Sequence, residues 1–213
     1  MKATAVLPVK RFAAAKRRLA GGIDDERREA LVGAMLEDVL EAIGRSRAIE
    51  RTIVVSGEPR AEAVAAAAGA EVVPDPTDLG HSEAALAGIA RAEELGAGCV
   101  ALLPGDCPLL GPRELDRLLT GHPARFVTIV PDRHGTGTNA LVLAPPSAIR
   151  PAFGPGSCAR HRDAARQEDV PHVIEEIPSL ALDLDTPADI VALTMELERD
   201  RGRAPRTARA LGL

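Results

Sequence analysis

The chain has 213 residues and a formal net charge of −5, and 46% of its residues are hydrophobic. This length allows one large α/β domain with a sizeable core. With three Phe and no Trp or Tyr, it offers little aromatic surface on which nucleic-acid bases could stack, and its acidic balance also argues against a general nucleic-acid binder.

Short β-rich runs alternate with longer helical patterns along the chain. The predicted strands are Ala3 to Val9, Arg51 to Ser56, Ala70 to Val73, Cys99 to Leu103, Phe126 to Val130, Ala140 to Leu143 and His172 to Ile177. The predicted helices lie near Asp24 to Arg45, Arg60 to Ala68, Ser82 to Leu95, Pro112 to Leu119, Cys158 to Gln167 and Thr186 to Arg199. This alternation predicts a single three-layer α/β/α domain over residues 1–199, around a mostly parallel, Rossmann-like sheet. The basic remainder, 200–213, is expected to be a tail that can be mobile.

Cysteine usage and hydropathy indicate the compartment. The three cysteines, Cys99, Cys107 and Cys158, are widely spaced and odd in number, which fits neither a disulfide framework nor a zinc site. The first apolar stretch is broken at Pro8, and no run of about 18 apolar residues follows, so neither a signal peptide nor a membrane span is expected. We therefore expect a cytoplasmic protein with small-molecule ligands and no membrane partner.

The loop after the first strand is rich in cations. Its basic residues are Lys10, Arg11, Lys16, Arg17 and Arg18. Ligands of α/β proteins bind beyond the carboxyl ends of the strands, so this loop predicts a polyanion site, for example for a nucleoside triphosphate. The alternative is a solvated basic helix face. Acidic motifs downstream favour the first interpretation, because they could hold the metal that accompanies a triphosphate.

Three aspartates are candidate metal ligands. Asp106, in PGDCPLL, is expected in a tight turn at the mouth of the sheet. Asp183 and Asp185, in LALDLDTPADI, lie two residues apart, so strand-like alternation would set both on one side. The alternatives are turn formation for Asp106 and helix capping for Asp185. Together these carboxylates could bind Mg²⁺, which takes one or two carboxylates plus phosphate oxygens.

The segment DRHGTGTNALVL is a candidate ligand loop. Gly135 and Gly137 free the backbone to approach a ligand, and Thr136 and Thr138 supply hydroxyl donors. A plain hairpin loop before a strand would use the same glycines. This motif therefore gains weight only together with the other sites.

The segment RPAFGPGSCARHRDAAR predicts a second anion site. Gly154 opens a turn that leads to Ser157, the predicted N-cap of a helix. Exposed N–H groups and the helix dipole favour an anion there, and Arg160 and His161 could add donors. The alternative is an ordinary capped helix. A triphosphate pocket, a metal and a second anion pocket are together what a two-substrate transfer reaction needs.

Five segments, in order over nearly the whole chain, resemble one known family: PVKRFAAAKRRL, PGDCPLL, RHGTGTNAL, FGPGSCARH and DLDTPADI. They look like the guanylyltransferases of deazaflavin coenzyme biosynthesis, which activate 2-phospholactate or phosphoenolpyruvate with GTP. The resemblance implies the nucleotide-diphospho-sugar transferase type of sheet, which molybdenum-cofactor and sugar-phosphate enzymes share. One departure is Glu83, which stands about where relatives often have an asparagine next to the nucleotide.

The resemblance also implies roles for individual residues. The residues expected to grip the acceptor phosphate are Thr138, Gly154 and Ser157. The ligands expected for Mg²⁺ are Asp106, Asp183 and Asp185. The cations expected to neutralise the triphosphate and the departing pyrophosphate are Lys10, Lys16 and Arg18.

The expected reaction is attack of a phosphate oxygen of phosphoenolpyruvate on the α-phosphorus of GTP, with loss of pyrophosphate. The acceptor is already an anionic nucleophile, so catalysis consists of positioning and charge neutralisation. The enzyme alternatives transfer a nucleotide to 2-phospholactate, 3-phosphoglycerate, or a molybdopterin or sugar phosphate. The non-enzyme alternative is a nucleotide-binding module without turnover. A homodimer is compatible with each of these.

Overall fold

The computed structural model describes residues 2–14, 24–75, 77–78, 80–200 and 202–213. Three residues of the predicted cation loop, Lys16, Arg17 and Arg18, lie outside these ranges. Seven strands form one sheet: β1 (Ala3–Val9), β2 (Ile49–Ser56), β3 (Glu71–Pro74), β4 (Val100–Leu102), β5 (Phe126–Pro131), β6 (Thr138–Ala144) and β7 (His172–Ile174).

The strand order explains how distant motifs meet. The sheet runs β3-β2-β1-β4-β6-β5-β7, with β1 parallel to β2 and β4, and β5 parallel to β7. Strand β6 is antiparallel to both of its neighbours, β4 and β5. Its first residue, Thr138, therefore lies at the same edge as the carboxyl ends of β1 and β4. Lys10 and Asp106 follow those two strands, so the predicted nucleotide, metal and acceptor motifs share one edge.

Helices pack on both faces of the sheet. Their bounds are α1 (Asp25–Gly44), α2 (Pro59–Ala67), α3 (His81–Glu94), α4 (Pro112–Leu118), α5 (Ser157–Gln167), α6 (Pro178–Ala181), α7 (Pro187–Arg199) and α8 (Pro205–Ala210). Alternating side chains of β1 enter two separate cores: Leu7 packs in the cluster that includes α1, and Val6 in the one that includes α3. At Gly88, α3 lies so close to β1 that a Cβ would be 2.3 Å from Cγ1 of Val6.

The predicted fold class is confirmed, as a single α/β domain with a mostly parallel seven-stranded sheet. Two local predictions are wrong. Residues 182–186 are not a strand but an irregular connection between α6 and α7, so period-two alternation does not orient Asp183 and Asp185. Ser157 is not an N-cap: Gly156 takes that place with a left-handed φ of 73°, and Ser157 is the first residue of α5.

The basic C-terminal segment contains α8, which packs against α1. The N–H and the hydroxyl of Thr207 donate to the buried carboxylate of Asp38, at 2.8 and 2.7 Å. Arg206 pairs with Asp38 at 3.3 Å and with Glu37 at 2.9 Å. The predicted tail is therefore docked in the structure, while its motion in solution and the domain end at residue 199 stay predictions.

Among the helices of the described residues, none is both long enough and apolar enough to cross a bilayer.

Candidate active site

A cavity of about 300 Å³ opens at the edge of the sheet where β1 and β4 end. Its lining residues are Pro8, Val9, Lys10, Val32, Leu36, His81, Pro104, Gly105, Asp106, Asp183 and Asp185. Four predicted site residues thus share one cavity: a cation, Lys10, and the three candidate metal ligands. About four fifths of the chain separates Lys10 from Asp183 and Asp185, and the fold brings them together.

The turn after β4 holds Asp106 at the cavity. Strand β4 ends at Leu102, and the next residues leave the sheet. Gly105 fits closely there, since a Cβ would lie 3.3 Å from Cδ1 of Leu36 on α1. Asp106 itself is half-buried and lines the cavity.

Asp189 orders the loop that carries Asp185. Its buried carboxylate accepts hydrogen bonds from the N–H of Asp185 at 2.9 Å and from the N–H of Thr186 at 2.6 Å, and it contacts the guanidinium of Arg133. Burial alone would raise the pKa of Asp189, but the hydrogen bonds from Thr186 and Arg133 hold it below its ordinary value. Because Thr186 is the N-cap of α7, Asp185 does not take that capping role, and its side chain lines the cavity.

Asn139 was not predicted as a site residue, yet it connects the predicted acceptor loop to the loop that carries Asp183. Its Nδ2 atom donates to the carbonyl oxygen of Leu180 at 2.6 Å and lies 3.4 Å from Oδ1 of Asp183. Asn139 directly follows Thr138 at the start of β6. The predicted acceptor loop is therefore next to the cavity that holds the aspartates.

The aspartates do not form a complete protein-only metal centre. Across the described ranges, no group of three or more His, Cys, Asp or Glu side chains is arranged to hold a metal ion. Mg²⁺ is ordinarily held by one or two carboxylates, with phosphate oxygens and water completing the shell. Asp106, Asp183 and Asp185 have the donor chemistry for that kind of site.

The predicted acceptor residues form a hydrogen-bonded group. The hydroxyl of Ser157 lies 3.1 Å from Oγ1 of Thr138, and Nδ1 of His161 lies 3.0 Å from the same atom. The N–H of Ala152 donates to Nε2 of His161 at 2.8 Å. His161 is fully buried, so it can reach a ligand through Thr138 but not directly.

Arg160 braces the loop that precedes α5. Its guanidinium donates to the carbonyl oxygens of Ala152, Phe153 and Pro155. The loop can turn there because Gly154 has a φ of 108°, which an L side chain rarely adopts. Arg160 was predicted to donate to an anion, whereas the structure directs its donors to this loop.

The N-terminus of α5 also differs from the predicted anion site. Two of its first N–H groups donate within the protein, from Ser157 to the carbonyl of Gly154 and from Cys158 to that of Thr136. The half-buried hydroxyl of Thr138, hydrogen-bonded to the buried Ser157, is the group that this arrangement offers to a ligand, rather than these amides.

His81, at the first position of α3, is a cavity residue that the sequence analysis missed. Burial lowers its pKa, the charge of Asp106 opposes this shift, and the charge of Lys10 adds to it. Its ring contacts Phe153 edge-on, with 4.5 Å between ring centroids. In the sequence, the one feature that could have pointed to His81 is its position after Gly80 at the start of a predicted helix. Glu83, on the same helix, pairs with Arg150 at 3.1 Å and is not among the cavity residues.

Comparisons with known proteins agree on the family. The family model described as "Guanylyl transferase CofC like" matches residues 3–204. A phosphoenolpyruvate guanylyltransferase from Conexibacter woesei is 47% identical over 210 residues, which cover 97% of this chain and 94% of the relative. A 3-phospho-D-glycerate guanylyltransferase from Phenylobacterium zucineum is 41% identical and is matched over 89% of this chain and 88% of its own length.

Solved structures agree on the fold. A structure from Desulfovibrio desulfuricans G20, provisionally described as a nucleotide-diphospho-sugar transferase, has a TM-score of 0.78 at 16% identity, over 100% of this chain and 95% of that one. A Mycobacterium tuberculosis protein crystallised with manganese has a TM-score of 0.56 at 21% identity, over 91% and 98% of the two chains.

These findings decide between the enzyme and the binding-module interpretations. The family and the curated relatives transfer a guanylyl group, and the match extends over almost all of this chain and of the relatives. This chain is therefore an enzyme, and it belongs to the CofC-like guanylyl transferase family.

Proposed function

We propose that this guanylyltransferase joins GTP to phosphoenolpyruvate. A phosphate oxygen of phosphoenolpyruvate attacks the α-phosphorus of GTP, the bond from that phosphorus to the β-phosphate bridge breaks, and pyrophosphate leaves. The product is enolpyruvyl-diphospho-guanosine. One observation carries the proposal. The cavity with one cation and three aspartates lies next to the Thr138–Ser157 hydroxyl pair, and Asn139 connects the two.

The cavity offers one cation to a triphosphate. Lys10 lies at the mouth of the sheet, where a cation can neutralise the phosphates of GTP and the leaving pyrophosphate. Lys16 and Arg18, which lie outside the described residues, are proposed to act with it. Because no covalent enzyme intermediate is required, these residues contribute by positioning and by charge neutralisation.

We propose Mg²⁺ as the cofactor, held by Asp106, Asp183 and Asp185 together with phosphate oxygens of the nucleotide. When bound, the metal would supply positive charge against the phosphate groups. The protein's own contribution is the fixed position of its carboxylates: Asn139 lies against Asp183, and Asp189 holds the backbone of Asp185. A protein of similar fold was crystallised with manganese, which supports the use of a divalent metal.

The acceptor pocket is proposed at Thr138, Gly154 and Ser157. In the Thr138–Ser157 pair, the half-buried hydroxyl of Thr138 is the group that would meet an anionic acceptor, with the buried Ser157 behind it. Arg160 and His161 hold the surrounding loop and ring in place. The relative named for phosphoenolpyruvate supports that acceptor, since it is 47% identical to this chain. The relative named for 3-phospho-D-glycerate, at 41% identity, makes that compound the second candidate.

A substrate panel tests the proposal. The purified enzyme is given GTP, ATP or CTP with phosphoenolpyruvate, 2-phospholactate or 3-phosphoglycerate, and pyrophosphate release and product mass are recorded. We expect GTP with phosphoenolpyruvate to have the highest kcat/KM. Because such similar acceptors are distinguished by only about 1 to 3 kcal/mol, equal amounts of all three should be offered in competition. A dominant product from either other acceptor overturns the substrate assignment.

The cellular setting is proposed on chemical grounds. The three cysteines, Cys99, Cys107 and Cys158, are buried free thiols, as expected for a protein of the reducing cytoplasm.

A homodimer is also proposed. Light scattering coupled to size-exclusion chromatography tests it, and a monomer mass at the working concentration contradicts it.

A further inference from the structure

A buried chain of hydrogen bonds ends at the proposed acceptor site. It begins at the N–H of Ala152, which donates to Nε2 of His161 at 2.8 Å. The other ring nitrogen, Nδ1, lies 3.0 Å from Oγ1 of Thr138, and Oγ of Ser157 lies 3.1 Å from that same oxygen. Both ring nitrogens of His161 are thus engaged, and its side chain has no exposed surface.

The position of the ring hydrogen follows from these partners. Burial, with a contribution from Arg160, lowers the pKa of His161 to about 4, so the imidazole is neutral near pH 7. A backbone N–H can only donate, so Nε2 must be the unprotonated acceptor. The single ring hydrogen therefore lies on Nδ1 and is donated to Thr138.

The hydroxyl hydrogens can then be counted. Thr138 and Ser157 have two, and one is used between the two oxygens. Since Nδ1 of His161 already donates, it can accept neither, and one hydrogen is left to point out of the group. Ser157 is 1% exposed, whereas Thr138 is half-buried. The outward hydrogen is therefore that of Thr138, and the hydroxyl of Ser157 donates to Oγ1 of Thr138.

The opposite tautomer of His161 would leave no hydroxyl hydrogen pointing outward. With the hydrogen on Nε2, Thr138 would donate to Nδ1 and Ser157 would donate to Thr138. Both hydroxyl hydrogens would be used inside the group, which would turn oxygen lone pairs toward an anion. Hydrogen bonds to a charged acceptor are about twice as strong as neutral ones, so this difference weighs on binding.

We propose that His161 is a positioning residue: held by the N–H of Ala152, it fixes the polarity of the Thr138–Ser157 pair, so that Thr138 presents an O–H donor to the anionic acceptor. This inference rests on the proposed function only in that the pair contacts the acceptor. The residue that sets the tautomer, Ala152, belongs to the loop that Arg160 braces, so the shape of that loop and the polarity of the donor are coupled.

The first experiment measures the tautomer directly. The wild-type enzyme is labelled with ¹⁵N at its histidines, and His161 is assigned from the signal lost in His161→Phe. At pH 7 we expect a neutral ring protonated at Nδ1, with and without phosphoenolpyruvate. A ring protonated at Nε2 alone, or an imidazolium at pH 7, overturns the proposal. If His161→Phe does not fold, assignment by backbone-correlated spectra of the wild type gives the same answer.

The second experiment is a double-mutant cycle of His161→Phe and Thr138→Val. Each single variant should raise the KM for the acceptor about tenfold, and the KM for GTP should change by less than about twofold. Because His161 acts through Thr138, adding His161→Phe to Thr138→Val should have little further effect. If the double variant raises the KM for the acceptor by the product of the two single effects, or if a single variant changes the KM for the acceptor and for GTP equally, the role is merely structural and the inference is overturned. His172→Phe, at the start of β7, is the control and should leave both constants unchanged.

Failure of the inference and failure of the proposed function are distinguishable. If wild-type enzyme makes no product with phosphoenolpyruvate, the substrate assignment fails, and the cycle is repeated with the acceptor that the panel identifies. The tautomer measurement does not depend on which acceptor that is.

Discussion

The side-chain amide of Asn139 lies 2.6 Å from the carbonyl oxygen of Leu180 and 3.4 Å from Oδ1 of Asp183. One side chain thus links the strand that begins with Thr138 to the loop with two of the candidate metal ligands. Strand β6 reaches this position because it runs antiparallel to β4.

We expect Asn139→Ala to raise the Mg²⁺ concentration needed for half-maximal activity, because Asp183 loses the amide that holds it. The carbonyl of Leu180 also loses a partner, so the free energy of unfolding should fall by about 1 to 3 kcal/mol. A metal titration of activity and a urea denaturation measure the two effects. Thr120→Val, which removes an exposed side-chain hydrogen bond far from the cavity, is the control. An unchanged metal dependence in Asn139→Ala contradicts the prediction.

The three candidate metal ligands are tested by conservative amides. Asp106→Asn should lower kcat/KM on the order of 100-fold or more, since the amide keeps the shape but not the charge of the carboxylate. Of Asp183→Asn and Asp185→Asn, at least one should behave in the same way. Asp163→Asn, an exposed carboxylate on α5, is the matched control.

The activity of the wild type should also disappear on chelation and return with Mg²⁺. Unfolding transitions of the three variants should stay close to that of the wild type, which separates lost chemistry from lost folding. If all three variants keep most of their activity, the metal role of these residues is wrong.

Much of the fold was predictable because its signals are local. The predicted bounds of β1, Ala3 to Val9, equal the observed ones, because a β-rich run with Thr4 as its one polar residue ends at Lys10. Helix α3 begins one residue before its predicted start and also ends one residue earlier. Apolar periodicity and the turns between elements are properties of neighbouring residues, so the sequence displays them directly.

The arrangement of the acceptor site was not predictable in the same way. Thr138 and Ser157 meet only because β6 reverses direction in the sheet and α5 begins at the same edge. Ser157 was predicted as an N-cap from residue preference, but the left-handed Gly156 occupies that position and the serine hydroxyl turns to Thr138. The burial of His161 depends on packing between segments that are distant in the sequence, so no local sequence pattern predicts it.

Stability should depend on pH through His161. Its pKa is about 4 in the folded protein, against about 6.5 in an unfolded chain. Between these values the unfolded state binds a proton that the folded state does not, so stability falls as the pH drops from about 6.5 to about 4. The loss from this residue is at most roughly 3 kcal/mol.

Urea denaturation between pH 4 and 7.5 measures this effect. Other groups also make stability depend on pH, including His81, whose pKa is lowered by burial, so the informative quantity is the difference between the wild type and His161→Phe. The variant should lose less stability on acidification than the wild type does. Parallel curves would mean that His161 is protonated without cost in the folded protein.

The docked C-terminal segment should contribute to stability without affecting catalysis. Thr207→Val removes one of the donors to the buried carboxylate of Asp38, and we expect a loss of about 1 to 3 kcal/mol in the free energy of unfolding. Arg199→Ala, whose exposed pair with Glu196 is worth little, is the control. Truncation after residue 199 should destabilise at least as much as Thr207→Val. A truncated chain as stable as the full one would favour an independent, mobile tail.

The nucleotide end of the site is tested at Lys10. Lys10 follows the carboxyl end of β1 and lines the cavity, whereas Lys2 precedes the amino end of the same strand and is exposed. Removing a cation that faces the phosphates weakens the transition state more than the ground state, because negative charge moves onto the leaving pyrophosphate. Lys10→Ala should therefore raise the KM for GTP and also lower kcat, by roughly tenfold or more in kcat/KM. We expect the same direction for Lys16→Ala.

Lys2→Ala is the matched control for Lys10→Ala, because it removes the same side chain from the opposite end of β1. Its steady-state constants for GTP and for the acceptor should equal those of the wild type. The KM for the acceptor should change less than the KM for GTP in Lys10→Ala, since Lys10 lines the cavity that is proposed to bind the nucleotide. Constants for GTP that are the same in Lys10→Ala and Lys2→Ala would return Lys10 to the class of solvated surface charges.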